Sequence, residues 1–193
     1  MKIIGLTGPI AAGKDEVVKI LKRHGAYVID VDELAHQLYA PQTPVWHELV
    51  KVFGSKVLMR GGRINRKRLG EIVFADKQKL QALDRIVHPQ LKEKVLQLIK
   101  SHQSSVSSRQ IVVINAAVLK EIGLASYVDE VWAVIAPRAA RLKRLVKAGL
   151  SQQAARKMID AQAPQTVYVK LADKLIRNQG TLGQLNAKVQ ASF

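Results

Sequence analysis

Within its first two dozen residues the chain commits to a strand, a glycine loop and a helix. Lys2-Ile-Ile-Gly-Leu6 is a short apolar run that reads as a buried strand. Residues 14–24 place Val17, Ile20 and Leu21 on one helical stripe, with Lys19, Lys22 and Arg23 off it. Between them lies Gly8-Pro9-Ile10-Ala11-Ala12-Gly13-Lys14. A G-x-x-x-x-G-K run that leaves a strand and opens a helix is a phosphate-binding loop. Its glycines let the backbone curl so that successive N–H groups point at phosphate oxygens. The helix that follows adds its partial positive end, and Lys14 reaches the β- and γ-phosphates of a nucleotide. A chance match to the pattern is common, but a match in strand–loop–helix context is not.

One position departs from the pattern. The residue after the lysine is ordinarily Ser or Thr, whose hydroxyl ligates Mg²⁺; here it is Asp15, followed by Glu16. Three readings stand open. Asp15 ligates Mg²⁺ through its carboxylate, since that ion favours oxygen ligands; it acts through a bound water; or it repels the phosphates and weakens catalysis. A fourth, purely structural reading is that acidic residues suit the first turn of any helix.

Further apolar runs at 26–30, 110–115, 130–135 and 174–177 read as four more strands, separated by helical patterns. Strands this apolar are covered on both faces, which predicts an α/β fold with a parallel sheet of about five strands. The long gap at 31–109 reads as helical throughout. One stripe holds Leu80, Leu83 and Val87 and another Leu91, Val95 and Leu98, with Pro89 as a break or kink between them. An insertion of that length is a lobe. Residues Ser104 to Ser108 (SSVSS) read as a flexible connector.

Val28-Ile-Asp30-Val-Asp32 sets two carboxylates at the C-terminal end of the second strand, the edge at which open α/β sheets bind ligands. An acid there can take a hydroxyl proton and orient that oxygen toward a γ-phosphate. Asp32 is equally placed to cap a helix beginning near Glu33.

Composition narrows the partner. With 31 basic and 15 acidic residues the net charge is +16, which calls for an anionic ligand. The excess is not uniform. Residues 61–110 hold 11 basic and 4 acidic residues, and residues 136–193 hold 11 and 2; from Arg138 to Ile159 there is no acid at all. A solvated helix face is the plain alternative for that run. Aromatics are only 5% and no nucleic-acid motif is present, so no specific nucleic-acid partner is expected. The chain has no cysteine, hence no disulfide or thiolate metal site. No apolar run approaches the ~18 residues of a membrane span, and the N-terminus does not read as a signal peptide. The expectation is a soluble, cytoplasmic protein without membrane attachment.

Taken together these residues resemble the dephospho-CoA kinase family, from about residue 3 to about residue 186. The resemblance rests on Leu6-Thr7-Gly8 through Lys14, Val28 to Asp32, Phe53-Gly54, Arg66 with Leu69, Val73 and Phe74, His88-Pro89, Gln162, and Ala172-Asp173 with Ile176, Asn178 and Gly180. It implies a P-loop NTPase-like three-layer fold. The nucleotide-binding core would be 1–30 with 110–136 and 163–193, the helical acceptor lobe 31–109, and a short basic lid 137–162. It also implies phosphorylation of the ribose 3′-hydroxyl of dephospho-CoA by ATP with Mg²⁺. The alternatives are another nucleoside or nucleotide kinase of the same architecture and a weakened nucleotide-binding homologue.

Carried over residue by residue, Gly8, Ala11, Ala12, Gly13, Lys14, Asp15 and Glu16 hold ATP, with Asp15 on Mg²⁺. Asp32 is the base, with Lys14 and Arg144 as its catalytic companions. Arg66 and His88 contact the acceptor, for which the alternatives are a surface cation and a helix-boundary residue. Arg141 and Arg144, three apart on one helix face, close over the phosphates. Asn178 and Gly180 belong to the adenine side. Three positions depart from the family: Asp15 itself, the lost proline in Ala117-Val118-Leu119-Lys120-Glu121, and Lys147 where a second lid arginine is usual. Lysine lacks the guanidinium fork, so the last change is not neutral.

Overall fold

A computed structural model describes residues 1–105 and 110–192. Five strands, β1 (Lys2–Thr7), β2 (Tyr27–Asp30), β3 (Ile111–Asn115), β4 (Glu130–Ile135) and β5 (Lys174–Arg177), form one sheet in the order β2-β3-β1-β4-β5. The pairings of β1 with β3 and β4, and of β4 with β5, are parallel, with Ile4 opposite Val113 and Glu130. Ile4, Leu6, Val112, Val113, Ile114, Trp132 and Val134 are wholly excluded from solvent. These strands therefore have no polar face, as a sheet with helices on both sides requires.

The helices are α1 (Lys14–Arg23), α2 (Val31–Leu38), α3 (Pro44–Phe53), α4 (Arg66–Phe74), α5 (Lys77–Ser105), α6 (Arg138–Lys147), α7 (Gln152–Asp160), α8 (Gln165–Leu171) and α9 (Leu182–Gln190). The backbone divides into two compact units, Met1–Ile29 with the chain from Ser105 onward, and Asp30–Ser104.

In the first unit, Val17, Ile20 and Leu21 of α1 join Leu185 and Val189 of α9 over Ile4, Leu6, Val113, Trp132 and Ile176. Each such large side chain contributes about 1.5–3 kcal/mol by leaving water. Thr181 and Gln184 start α9 with a reciprocal capping box. α6 and α7 form a helical hairpin with its own small core: Leu145, Ala155 and Ile159 pack with Leu142, Leu150 and, from the glycine loop, Ile10 and Ala11.

The second unit is built mainly from α2 to α5, and it corrects the sequence reading in three places. Residues 58–64 are not helical: Leu58 and Ile64 form an isolated antiparallel bridge around Gly61 and Gly62, and the Met59 N–H donates to the Arg63 carbonyl at 2.8 Å. Pro89 does not divide two helices, because α5 runs unbroken through it for 29 residues. The buried seam is one line, Val87, Leu91, Val95 and Ile99, in place of two stripes, while Pro89 is exposed. A proline on the solvent side costs one N–H bond, and water can serve the freed Arg85 carbonyl. The expected connector is also shorter, since Ser104 and Ser105 belong to α5; its remaining residues, 106–108, lie outside the described residues. Among the described residues, no helix is long and apolar enough to cross a membrane.

Candidate active site

β1 delivers the chain to Gly8, whose φ of +143° suits glycine alone. A Cβ there would stand 2.2 Å from the Val134 carbonyl oxygen of β4. The Ala12 N–H donates to the Pro9 carbonyl at 3.1 Å and so closes a tight turn. Ala11 sits at φ +57°, a left-handed conformation that non-glycine residues rarely adopt. Gly13, at φ +104°, is the N-cap of α1 and supplies no side-chain acceptor. α1 therefore begins without a side-chain cap, the kind of helix start at which anions bind. The Lys14 ammonium donates to the Gly8 carbonyl at 2.9 Å, which lays the side chain back along the loop. In the first turn Asp15 is exposed, whereas Glu16 pairs with Lys19 at 2.7 Å. That pairing holds the Lys19 ammonium above its ordinary pKa.

The other side of the loop is held by side chains. Arg141 donates from Nε to the Ile10 carbonyl at 2.8 Å. Arg144 donates from Nη1 to the Ala11 and Ala12 carbonyls at 2.9 and 3.0 Å, and from Nη2 to the Asn178 carbonyl at 3.2 Å. Asn178 donates from Nδ2 to the Ala12 carbonyl at 2.8 Å. Gln162 accepts the Ile10 N–H at 2.7 Å. A Cβ at Gly13 would lie 2.1 Å from the Asn178 amide nitrogen. Arg141 is 5% exposed, and burial lowers its pKa. Arg144 and Arg141 do share a face of α6, as their spacing predicts, and on it they meet backbone carbonyls. Lys147 ends α6 and is exposed. Arg138 ties the start of α6 to Asp160 at the end of α7 through a two-pronged ion pair, which holds the Asp160 carboxyl below its usual range.

In the second unit the two strand-end acids divide their roles. Asp30, not Asp32, caps α2: its carboxylate accepts the Glu33 N–H at 3.1 Å, and the helix begins at Val31. The earlier start of the helix moves the cap back by two residues and leaves Asp32 exposed in the first turn. Arg66 is exposed at the first position of α4, which Asn65 caps. It lines a cavity of about 410 Å³ with His36, Tyr39, Arg63 and Ile64. Burial and nearby Asp84 push the Tyr39 hydroxyl's pKa up, and Arg66 opposes them. His88 lies inside α5, not at a helix boundary, with Nε2 3.4 Å from Asp84. Tyr39 and Arg63 carried no sequence signal, because lone aromatic and basic residues in a basic lobe look alike. Gln162 was visible only through the family resemblance.

The donor set suits phosphate and magnesium. Gly8 and Gly13 let the loop pack against the Val134 carbonyl and the Asn178 amide, where a Cβ would clash. Among the described residues no group of three or more His, Asp or Glu side chains could hold a metal. Mg²⁺ does not need one, because it uses one or two carboxylates together with substrate phosphates and waters.

A family model described as dephospho-CoA kinase matches residues 2–184. The dephospho-CoA kinase of Moorella thermoacetica is 39% identical over 194 residues, which cover 100% of this chain and 91% of that protein. The solved dephospho-CoA kinase from Campylobacter jejuni superposes with a TM-score of 0.71 at 25% identity, covering 100% of this chain and 96% of its own. A Thermus thermophilus crystal structure superposes with a TM-score of 0.82 at 28% identity, covering 99% and 95%.

Proposed function

Since the chain belongs to the dephospho-CoA kinase family, we propose that it transfers the γ-phosphoryl group of ATP to the ribose 3′-hydroxyl of dephospho-CoA, giving coenzyme A and ADP. The observation that carries this reading is the glycine loop, with its strained Ala11, the helix that starts from it without a side-chain cap and the Lys14 ammonium laid along it.

The loop's N–H groups and the α1 N-terminus bind the β- and γ-phosphates, with Lys14 neutralising charge on the transferring group. Asp15, directly or through a water, would hold Mg²⁺, which when bound offsets the negative charge of the phosphates. Asp32 accepts the proton of the 3′-hydroxyl. A bond forms from the 3′-oxygen to the γ-phosphorus, the bond from that phosphorus to the bridging oxygen breaks, and the leaving electrons stay on ADP. Asp32's place in the first turn of α2, just beyond the end of β2, supports its role as base. Arg66 and His88 hold the anionic acceptor, and the Arg63, Arg66 and Tyr39 cavity supports an acceptor site in that lobe. Asn178 holds the loop on the adenine side.

A coupled assay of ADP release with ATP, Mg²⁺ and dephospho-CoA tests the reading. Turnover with dephospho-CoA and none with nucleoside monophosphates is the expected result. The reverse preference would overturn it and leave a nucleotide kinase.

A further inference from the structure

The outer carbonyls of the glycine loop are occupied by side chains drawn from the α6–α7 hairpin and from the segment after β5. Ile10 is held at both ends, its N–H by Gln162 and its carbonyl by Arg141. The next two carbonyls, of Ala11 and Ala12, both receive Arg144 Nη1, and Ala12 also receives Asn178 Nδ2. Arg144 Nη2 then closes the ring onto the Asn178 carbonyl. Beneath these bonds Ile10 and Ala11 pack against the cluster of Leu145, Ala155 and Ile159.

A peptide plane that turns its N–H toward a phosphate must turn its carbonyl away from it. A loop of such planes therefore exposes a row of carbonyls on its outer side, and each one left without a donor favours flipping the plane back. Here every carbonyl from Ile10 to Ala12 has a side-chain donor, three of the four bonds coming from guanidinium groups. The Ile10 and Ala12 carbonyls share their planes with the Ala11 and Gly13 N–H groups, while the plane between them turns its Ala12 N–H to the Pro9 carbonyl and braces the turn. Charge-assisted bonds of that kind are roughly twice as strong as neutral ones. The two cations also lie behind the peptide dipoles, where their field adds to that of the N–H groups in front. The strained φ of Ala11 is held where Arg144 spans its carbonyl and the next.

We propose that Arg141, Arg144, Gln162 and Asn178 are positioning residues that preform the nucleotide-phosphate loop from behind, so that the basic hairpin acts on the reaction through the loop's backbone and not through contact with the transferred phosphoryl group. This rests on the kinase reading above. It assigns the buried face of the hairpin's charge to the protein's own carbonyls. It also explains why lysine at 144 would not serve: one ammonium can neither bridge two adjacent carbonyls in a plane nor reach Asn178 with a second arm.

ADP provides the discriminating ligand, because it uses the loop but has no γ-phosphate. Its affinity is measured by titration calorimetry for the parent, R144K, N178A, Q162A and R144K/N178A, alongside melting curves without nucleotide and the separate KM values. The parent should bind ADP. R144K should weaken ADP and raise the ATP KM by about tenfold or more, the cost of one or two charge-assisted bonds, and N178A, which removes one neutral bond, should do the same by several-fold. The dephospho-CoA KM should not change. The double variant should be no more than a few-fold worse than either single, because Arg144 and Asn178 hold the same carbonyl and each other. Q162A, at a half-exposed position, should show the same pattern more weakly and without loss of fold. Unchanged ADP affinity in all three single variants, with kcat reduced in R144K, would overturn the proposal and make Arg144 a direct phosphoryl contact. Failure of the parent itself to bind ADP would instead refute the kinase reading.

Discussion

Two aspartates two positions apart, Asp30 and Asp32, show how much function hangs on a local detail of backbone. Either could cap a helix and either could serve as a base. The structure gives the cap to Asp30, whose carboxylate accepts the Glu33 N–H, and places Asp32 in the first turn that follows. The pair can be separated by experiment. Asp32→Asn keeps size and polarity but cannot take a proton, and turnover should fall about 10²–10⁴-fold while ADP affinity is retained. Asp30→Ala should do the opposite: it removes a cap worth about 1 kcal/mol, lowering the melting temperature by a few degrees and sparing kcat. Steady-state rates and melting curves on the two variants decide the matter. Comparable loss of kcat in both would mean that the strand end, not one carboxylate, carries the reaction. The glycine loop is the other lesson at this scale. Its turn and the helix that follows were legible from Gly8, Gly13 and Lys14, but its outward support was not, because Arg141, Gln162 and Asn178 lie more than a hundred residues away and nothing in the spacing links them to Ile10 and Ala12.

At the scale of elements, strands were easier to read than helices. All five strands fall within a residue or so of the apolar runs that announce them; for β1, β3 and β4 the reason is that a strand buried on both faces can hardly be anything but apolar. The insertion was harder. Gly61 and Gly62 turn the chain into a small bridge that a helical average over 31–109 concealed. Pro89 reads in the sequence as punctuation, yet the buried seam from Val87 to Ile99 passes straight through it. Four apolar contacts along one line outweigh one missing N–H bond. Pro89→Ala should therefore stabilise the protein by about 1–2 kcal/mol, since it restores a donor to the Arg85 carbonyl and removes a ring clash. A rise in melting temperature checks this, and a fall would show that the lobe depends on the proline. A second element-level device joins β1, β4 and β5. Glu130 receives Lys2 at 2.9 Å and the Trp132 indole N–H at 2.8 Å, with Lys174 at 3.3 Å. Lys2 first, then Trp132, hold its carboxyl down at about 2, against an ordinary value of 4.5. A depressed carboxylate stabilises the fold above its unfolded pKa and loses that contribution as pH falls toward the folded value. The parent should thus lose stability between pH 4.5 and about 2 more steeply than Glu130→Gln, which carries no titrating group there. Urea midpoints taken across that range measure the difference, and parallel curves would contradict the assignment.

For the molecule as a whole the governing quantity is charge, 31 basic residues against 15 acidic. The structure sorts part of the surplus. Lys19, Lys51, Lys79 and Arg138 face carboxylates, and Arg141 and Arg144 spend themselves on the glycine loop. Other cations of the hairpin, among them Lys143, Lys147, Arg156 and Lys157, remain exposed, as do Arg63 and Arg66 at the lobe cavity. Exposed pairs and lone surface cations add little to stability, about 0–1 kcal/mol each, so the surplus is better judged by what it does at a distance. ATP and dephospho-CoA are both polyanions, and a field of one sign raises the rate at which such ligands arrive. That field is screened beyond about 10 Å at 0.1 M salt. It follows that kcat/KM for each substrate should fall by roughly tenfold between low and 0.3 M ionic strength, while kcat, which reports on bound substrate and a loop braced by buried contacts, should move little. Parallel measurements with potassium chloride and potassium glutamate exclude a specific anion effect. If kcat fell together with kcat/KM, the salt would be reaching the site itself, and the surface charge would have to be counted as part of the catalytic apparatus.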